Sequence, residues 1–276
     1  MNTMIHRRHL LLASLALGAA PSDYAQSAPQ VPGPFDLKLM ILGRRRPGTS
    51  MVEHRQHIRN VHGEMVLRYI ATDPQNAPRR YVQNAVFDGQ YRSSAPGSDP
   101  FALNRDFVTQ IWFPDFGALG RSLQTPFYLQ NLKGDEDNFV DQSTVVPLTV
   151  REREVVAQRA PLAGACKLFF CIQRAPDADP EAFRAAWQQG AAALQAWPVA
   201  AKLRRYVQND AMAKPGTTAP LDGIDEFWLD DEAAARSLWT QWQTWVRDTL
   251  VAKGLATASG HFGLLATEAV LYAGQG

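Results

Sequence analysis

The sequence predicts an α+β protein made of two tandem βαββαβ units whose sheets pack face to face within one chain. Two observations carry this expectation: a hexapeptide that occurs twice, and longer blocks around it that recur in the same order. RRYVQN stands at Arg79–Asn84 and again at Arg204–Asn209. Upstream, KLMILGRRRPGTSMVEHRQHIRNVHGEMV from Lys38 lines up with KLFFCIQRAPDADPEAFRAAWQQGAAALQ from Lys167, an offset of 129. Downstream, DFVTQIWFPDFGALGRSL from Asp106 lines up with GIDEFWLDDEAAARSLW from Gly223 and pairs Trp112 with Trp228. Blocks repeating in order, with gaps only between them, mark a duplicated structural unit.

The elements follow in chain order. Leu37–Gly43 is a short apolar run suited to a buried strand. PGTS then supplies a turn and a helix cap, with Ser50 at the N-cap and Glu53 at the third helical position, and apolar residues recur at helical spacing from Met51 to Tyr69. Tyr81–Phe87 and Phe107–Phe113 are strand-like. Between them Gln90–Arg105 is an exposed excursion, a candidate cover for a pocket. A shorter helix follows Pro114, and Thr144–Val155 reads as the last strand. This order is the ferredoxin-like split βαβ unit, which leaves one sheet face bare; the second copy's sheet is the natural cover. The first unit is expected over 28–158 and the second over 165–276, joined by Gln158–Gly164.

With 276 residues, 46% hydrophobic and 20% charged, the composition is that of a globular protein. The first residues are different. Arg7-Arg8 precede an apolar run from Leu10 to Ala20 and a small-residue stretch, which predicts an export signal over 1–27. The paired arginines fit the twin-arginine route to the periplasm; His6 before the pair keeps the ordinary secretory route as the alternative. No segment offers the ~20 apolar residues that span a bilayer, so no membrane association is expected after cleavage. Removing 1–27 takes away Arg7, Arg8 and Asp23, which leaves 26 basic and 26 acidic residues and no field to attract nucleic acid. Cys166 and Cys171 lie five apart on one strand, facing opposite ways, and are expected as free thiols.

The combination RRRPGTSMVEHRQHIRNVHGEMV followed by RRYVQN resembles the EthD family of the dimeric α/β-barrel superfamily, as does DEDNFVD at Asp135–Asp141. The resemblance implies the intramolecular form of that barrel. Its relatives include cofactor-free monooxygenases, cyclases, dehydratases, isomerases and haem enzymes, so the fold leaves the reaction open.

In the family the histidine ending an F-x3-W-x3-H pattern faces a cavity between helix and sheet. The first unit shows this as His54-x3-Ile58-x3-His62, and the second keeps Phe183 and Trp187 but has Ala191 in place of the histidine. His54, matched by Phe183, reads as packing. His62 is the candidate for proton transfer, with a core histidine as the alternative. On a wheel of 100° per residue His57 falls roughly 140° from His62, so the histidines are not expected to converge and no metal site is predicted. Tyr81 is assigned to orient a substrate oxygen, and Ile58, Met65, Tyr69, Gln83 and Trp112 to the substrate wall. Arg44–Arg46 read as a solvated strand end, and Trp239, Trp242 and Trp245 as a core or interface stripe.

The expected function is a periplasmic enzyme, without metal or organic cofactor, that isomerises, cyclises or dehydrates a small apolar oxygenated or aromatic molecule. A carrier that catalyses nothing and a haem-dependent oxidase or peroxidase with His62 as axial ligand are the alternatives. Association of two such pseudo-dimers stays open.

Overall fold

The computed structural model describes residues 37–92, 99–159, 162–212 and 219–274; the expected export signal lies outside them. The first half runs β1 (Leu37–Gly43), α1 (Met51–His57), a π-helical turn (Ile58–His62), α2 (Gly63–Thr72), β2 (Arg80–Gly89), β3 (Phe107–Phe113), α3 (Phe116–Ser122), a second π-helical turn (Tyr128–Leu132), α4 (Lys133–Phe139) and β4 (Val146–Val156). The second runs β5 (Cys166–Ile172), α5 (Pro180–Gln188), α6 (Gly190–Gln195), β6 (Leu203–Ala211), β7 (Gly223–Leu229), α7 (Glu232–Trp245) and β8 (Phe262–Tyr272). Helix starts obey their caps: Ser50 and Glu53 form the expected capping box, and Asp115, Asp179 and Asp231 each accept a backbone N–H of the first turn.

The strands close into one antiparallel barrel in the order β1-β3-β2-β8-β5-β7-β6-β4. Each half contributes the same four-strand pattern. The long last strands make the joins, because β4 begins against β1 and continues along β6 while β8 begins against β5 and continues along β2. Closure leaves neither sheet an open edge along these joins. Among the described residues no helix is long and apolar enough to cross a membrane.

Strand alternation divides the chain between two environments. One face of β3 sends Val108, Gln110 and Trp112 into the barrel; Phe107, Thr109, Ile111 and Phe113 face the helices. One end of the interior is apolar, with Met40, Val108, Phe169, Ile224 and Phe262 in contact. Phe101 is fully buried in this cluster, and the Arg92 and Arg105 guanidinium carbons lie 5.0 and 5.4 Å from its ring. The described part of the Gln90–Arg105 excursion therefore plugs the barrel end and does not cover a pocket. Arg44 and Arg45 also depart from a free solvated end: Arg45 pairs with Asp106 at 2.8 Å, and Arg44 donates to Asn104 at 3.0 Å.

The rest of the interior is polar and nearly two-fold symmetric. Glu226, fully buried, is paired with Lys38 and with Lys167 (2.7 Å), and it accepts from Asn209 and Gln110 at 2.9 Å. Lys38 reaches Glu152 at 3.2 Å and Lys167 reaches Glu268 at 2.8 Å, so each ammonium has two carboxylates. The same ammoniums lie 4.9 and 4.1 Å from the Trp112 and Trp228 ring centroids. Burial acts to raise Glu226, but the two lysines outweigh it and hold the carboxyl far below the usual range. Cys166 and Cys171 are free and buried on opposite faces of β5, and burial raises both thiols.

Candidate functional site

Between the outer face of the first half's sheet and its helices lies a mostly apolar cavity, walled by Leu39, Ile58, Tyr81, Ile111 and Phe113, with Leu132 and Phe139 from the second helical hairpin. Its free interior is about 90 Å³ for the centre of a water-sized sphere. One water needs roughly 10–15 Å³ on that measure, so the space suits a compact organic molecule.

His62, Tyr81, Ile58 and Tyr69 line this cavity. Met65, Gln83 and Trp112 do not. Trp112 sits on the inward face of β3 beside Lys38, one residue out of phase with the cavity wall. Met65 packs half-buried against the Val66–Tyr69–Ile70 cluster. Gln83 lies beneath the wall, where its amide donates to the Tyr81 hydroxyl at 2.7 Å and to the Ile58 carbonyl at 2.6 Å. Burial keeps the Tyr81 proton on by raising its pKa. With Gln83 donating to its oxygen, the Tyr81 hydrogen is left for a bound molecule. Tyr69 contributes only its ring, because its hydroxyl is engaged with Ser122 and Thr125.

The histidines depart from the wheel. His57 Nε2 and His62 Nδ1 meet the same carboxylate, Asp135, at 2.8 and 3.1 Å. The cause is the π-helical turn at Ile58–His62: its hydrogen bonds run i→i+5, so positions five apart stack instead of diverging. Phe139 backs both rings, at centroid distances of 5.2 and 4.8 Å. Burial would raise Asp135, yet hydrogen bonds from His62, Asn138 and His57 bring it down to about 2. These bonds favour the carboxylate form of Asp135, which orients His62 through Nδ1 and leaves Nε2 unengaged by it. Among the described residues no group of three or more His, Cys, Asp or Glu is arranged to hold a metal ion. His54 is a buried packing residue, bonded through Nδ1 to the Phe139 carbonyl at 3.0 Å and stacked on Phe107.

Sequence reasoning missed Asp135 and Glu136, adjacent on α4. Glu136 lines the cavity and accepts from the Tyr128 hydroxyl at 3.3 Å, and burial pushes its carboxyl up to about 7. A signal for both was present in the duplication. Arg46 N–H bonds to the Phe139 carbonyl as Ala175 N–H bonds to that of Leu255, which makes Phe139 equivalent to Leu255. Asp135 and Glu136 then correspond to Val251 and Ala252, so the second half lacks all three of the polar groups His62, Asp135 and Glu136.

The second half has filled the corresponding space. Trp187, equivalent to Ile58, donates to Asp225 at 3.0 Å; Trp242 and Tyr206 donate to the same carboxylate at 2.9 and 2.7 Å. Asp225 stands where the first half has Thr109, and burial raises it to about 7. The shared tyrosine is thus bound to a buried carboxylate in one half and faces a cavity in the other.

Fold and site define a dimeric α/β barrel contained in one chain, with a cavity in the first half whose counterpart in the second is filled by side chains. The EthD domain model matches residues 46–143 and 175–248, more than half of the chain. The chain belongs to the EthD family. It is 30% identical over 135 residues to the decarboxylase claH of Passalora fulva, covering 44% of this chain and 82% of that protein. In fold it is similar to an anthrone oxidase-like protein (TM-score 0.56, 10% identity, 85% of this chain and 92% of that one). A chlorite dismutase-like protein is also similar (TM-score 0.50, 9% identity, 84% and 95%). Family and relative together support a small-molecule-processing enzyme.

Proposed function

We propose that the chain is a cofactor-independent lyase acting by proton transfer on a compact, largely apolar, hydroxylated aromatic or keto compound. The observation that carries this is the first-half cavity, which is lined by an imidazole bonded to Asp135 and by a tyrosine hydroxyl that accepts from Gln83, among apolar walls. His62 Nε2 takes a proton from a substrate hydroxyl, and the Tyr81 hydroxyl donates to the oxygen on which charge develops. Low-polarity surroundings strengthen both interactions. The decarboxylase relative favours loss of CO2 from a β-keto or hydroxyaryl acid over isomerisation, cyclisation or dehydration. We further propose export to the periplasm through the twin-arginine-type leader.

The test is a panel of β-keto and hydroxyaryl acids followed by CO2 release, with mass spectrometry of any molecule retained on purification. Turnover of at least one acid is expected. A retained molecule released unchanged, with no acid consumed, would make the protein a carrier. Haem addition tests the haem-dependent alternative: no Soret band is expected, and its appearance would favour an oxidase or peroxidase.

A further inference from the structure

We propose that Glu136 is the catalytic acid of this cavity, delivering to substrate carbon the proton that replaces CO2, in the sense opposite to His62. The inference rests on the lyase reading above. It starts from position: Glu136 is on α4 immediately after Asp135, so one turn of backbone presents the carboxylate that orients His62 and a second carboxyl that lines the cavity. The two acids have different environments. Asp135 receives His57, His62 and Asn138 and stays ionised. Glu136 has Tyr128 from the preceding π-helical turn, Gln142 from the segment beyond α4, and the more distant charges of Asp137 and Lys133. His62, Tyr69 and Tyr81 share its cavity. With apolar wall elsewhere, the proton-bearing form is accessible near neutral pH. Gln142 adds a second feature: it lines the same cavity, and its Oε1 is buried without a hydrogen-bond partner. A buried acceptor of that kind asks for a donor. A substrate hydroxyl held there would bring the adjoining carbon to Glu136.

The step balances as follows. In a β-keto acid the bond from carbon to the carboxylate breaks, CO2 leaves and the electron pair passes into the enolate whose oxygen Tyr81 holds. In a hydroxyaryl acid the carbon is protonated first; the electron pair of the breaking bond then restores the ring as CO2 leaves, and the proton that His62 took returns to the hydroxyl oxygen. The Glu136 O–H bond breaks as the new C–H bond forms. The resulting carboxylate regains a proton from solvent, so one solvent proton is consumed per CO2 released. Reaction in D2O therefore places one deuterium on the product carbon.

Two measurements test this. The first uses ligand-free protein: the infrared spectrum of wild type minus Glu136→Gln is expected to carry a protonated-carboxyl band at pH 6 that is lost by pH 8. The second uses an acid from the panel that wild type decarboxylates. Glu136→Gln is expected to lower kcat about 100-fold or more with KM within about threefold, as loss of a general acid does. The wild-type kcat should fall as pH rises through about 7, and the variant's residual rate should lack that limb. Absence of the infrared band, or a Glu136→Gln kcat equal to wild type, overturns the proposal. If no acid reacts with wild type, the lyase reading fails and takes the catalytic step with it, while the infrared band still reports whether Glu136 holds a proton.

Discussion

Replacing Glu226 by Gln removes the one charge that both barrel lysines share. Lys38 and Lys167 keep Glu152 and Glu268, so neither ammonium is stranded outright, but each loses its fully buried partner. Removing one member of a buried pair costs ~3–5 kcal/mol when nothing replaces it. With the outer carboxylates retained, about 3 kcal/mol is expected here, which for a chain of this size lowers Tm by roughly 6–12 °C. The pH dependence has a definite sign. Because the folded-state pKa of Glu226 is depressed, its contribution is present above the ordinary glutamate value and is lost as pH falls below it. Urea unfolding of wild type and Glu226→Gln should therefore differ most at pH 7 and converge in acid. The pseudo-symmetry supplies a rescue, since Gln110 occupies the equivalent position and its Oε1 is already 2.8 Å from Lys167. The double variant Gln110→Glu/Glu226→Gln moves the charge to the other half and should recover most of the loss. A Glu226→Gln protein within about 1 kcal/mol of wild type at pH 7, a difference too small for a lost buried pair, would refute this reasoning.

Other consequences are as specific. Asp225→Ala leaves the Trp187, Trp242 and Tyr206 donors buried without an acceptor, at ~1–3 kcal/mol each, so urea unfolding should show a loss of at least about 3 kcal/mol. Ile58→Trp copies the second half's plug into the first; it should abolish turnover while circular dichroism reports an intact fold. Asp135→Asn keeps the shape but weakens orientation of His62, and kcat should drop about tenfold or more with KM little changed.

The barrel was legible because it rests on local signals repeated twice. Apolar runs gave the strand positions, Ser50 and Glu53 gave the helix start, and the duplication implied that each sheet covers the other. The site was legible only in part. A uniform 100° wheel cannot register the π-helical turn at Ile58–His62, so the meeting of His57 and His62 on Asp135 was hidden, and Met65 was assigned to the wrong wall. Trp112 was misplaced for a simpler reason. Its counterpart Trp228 is also a barrel-interior residue over a lysine, so its persistence in the plugged half spoke for scaffold. RRYVQN teaches the same lesson, because Tyr81 and Tyr206 are alike and only their surroundings differ. Comparing the two copies for what failed to repeat singles out His62 as a candidate; extended to α4, it singles out Asp135 and Glu136 as well.

The proposed proton transfer in the first-half cavity centres on His62. The direct measurement is steady-state kinetics of His62→Gln on an acid that wild type decarboxylates, beside wild type. A kcat at least about 100-fold lower with KM within about threefold is expected. An unchanged kcat in the His62→Gln protein would contradict it.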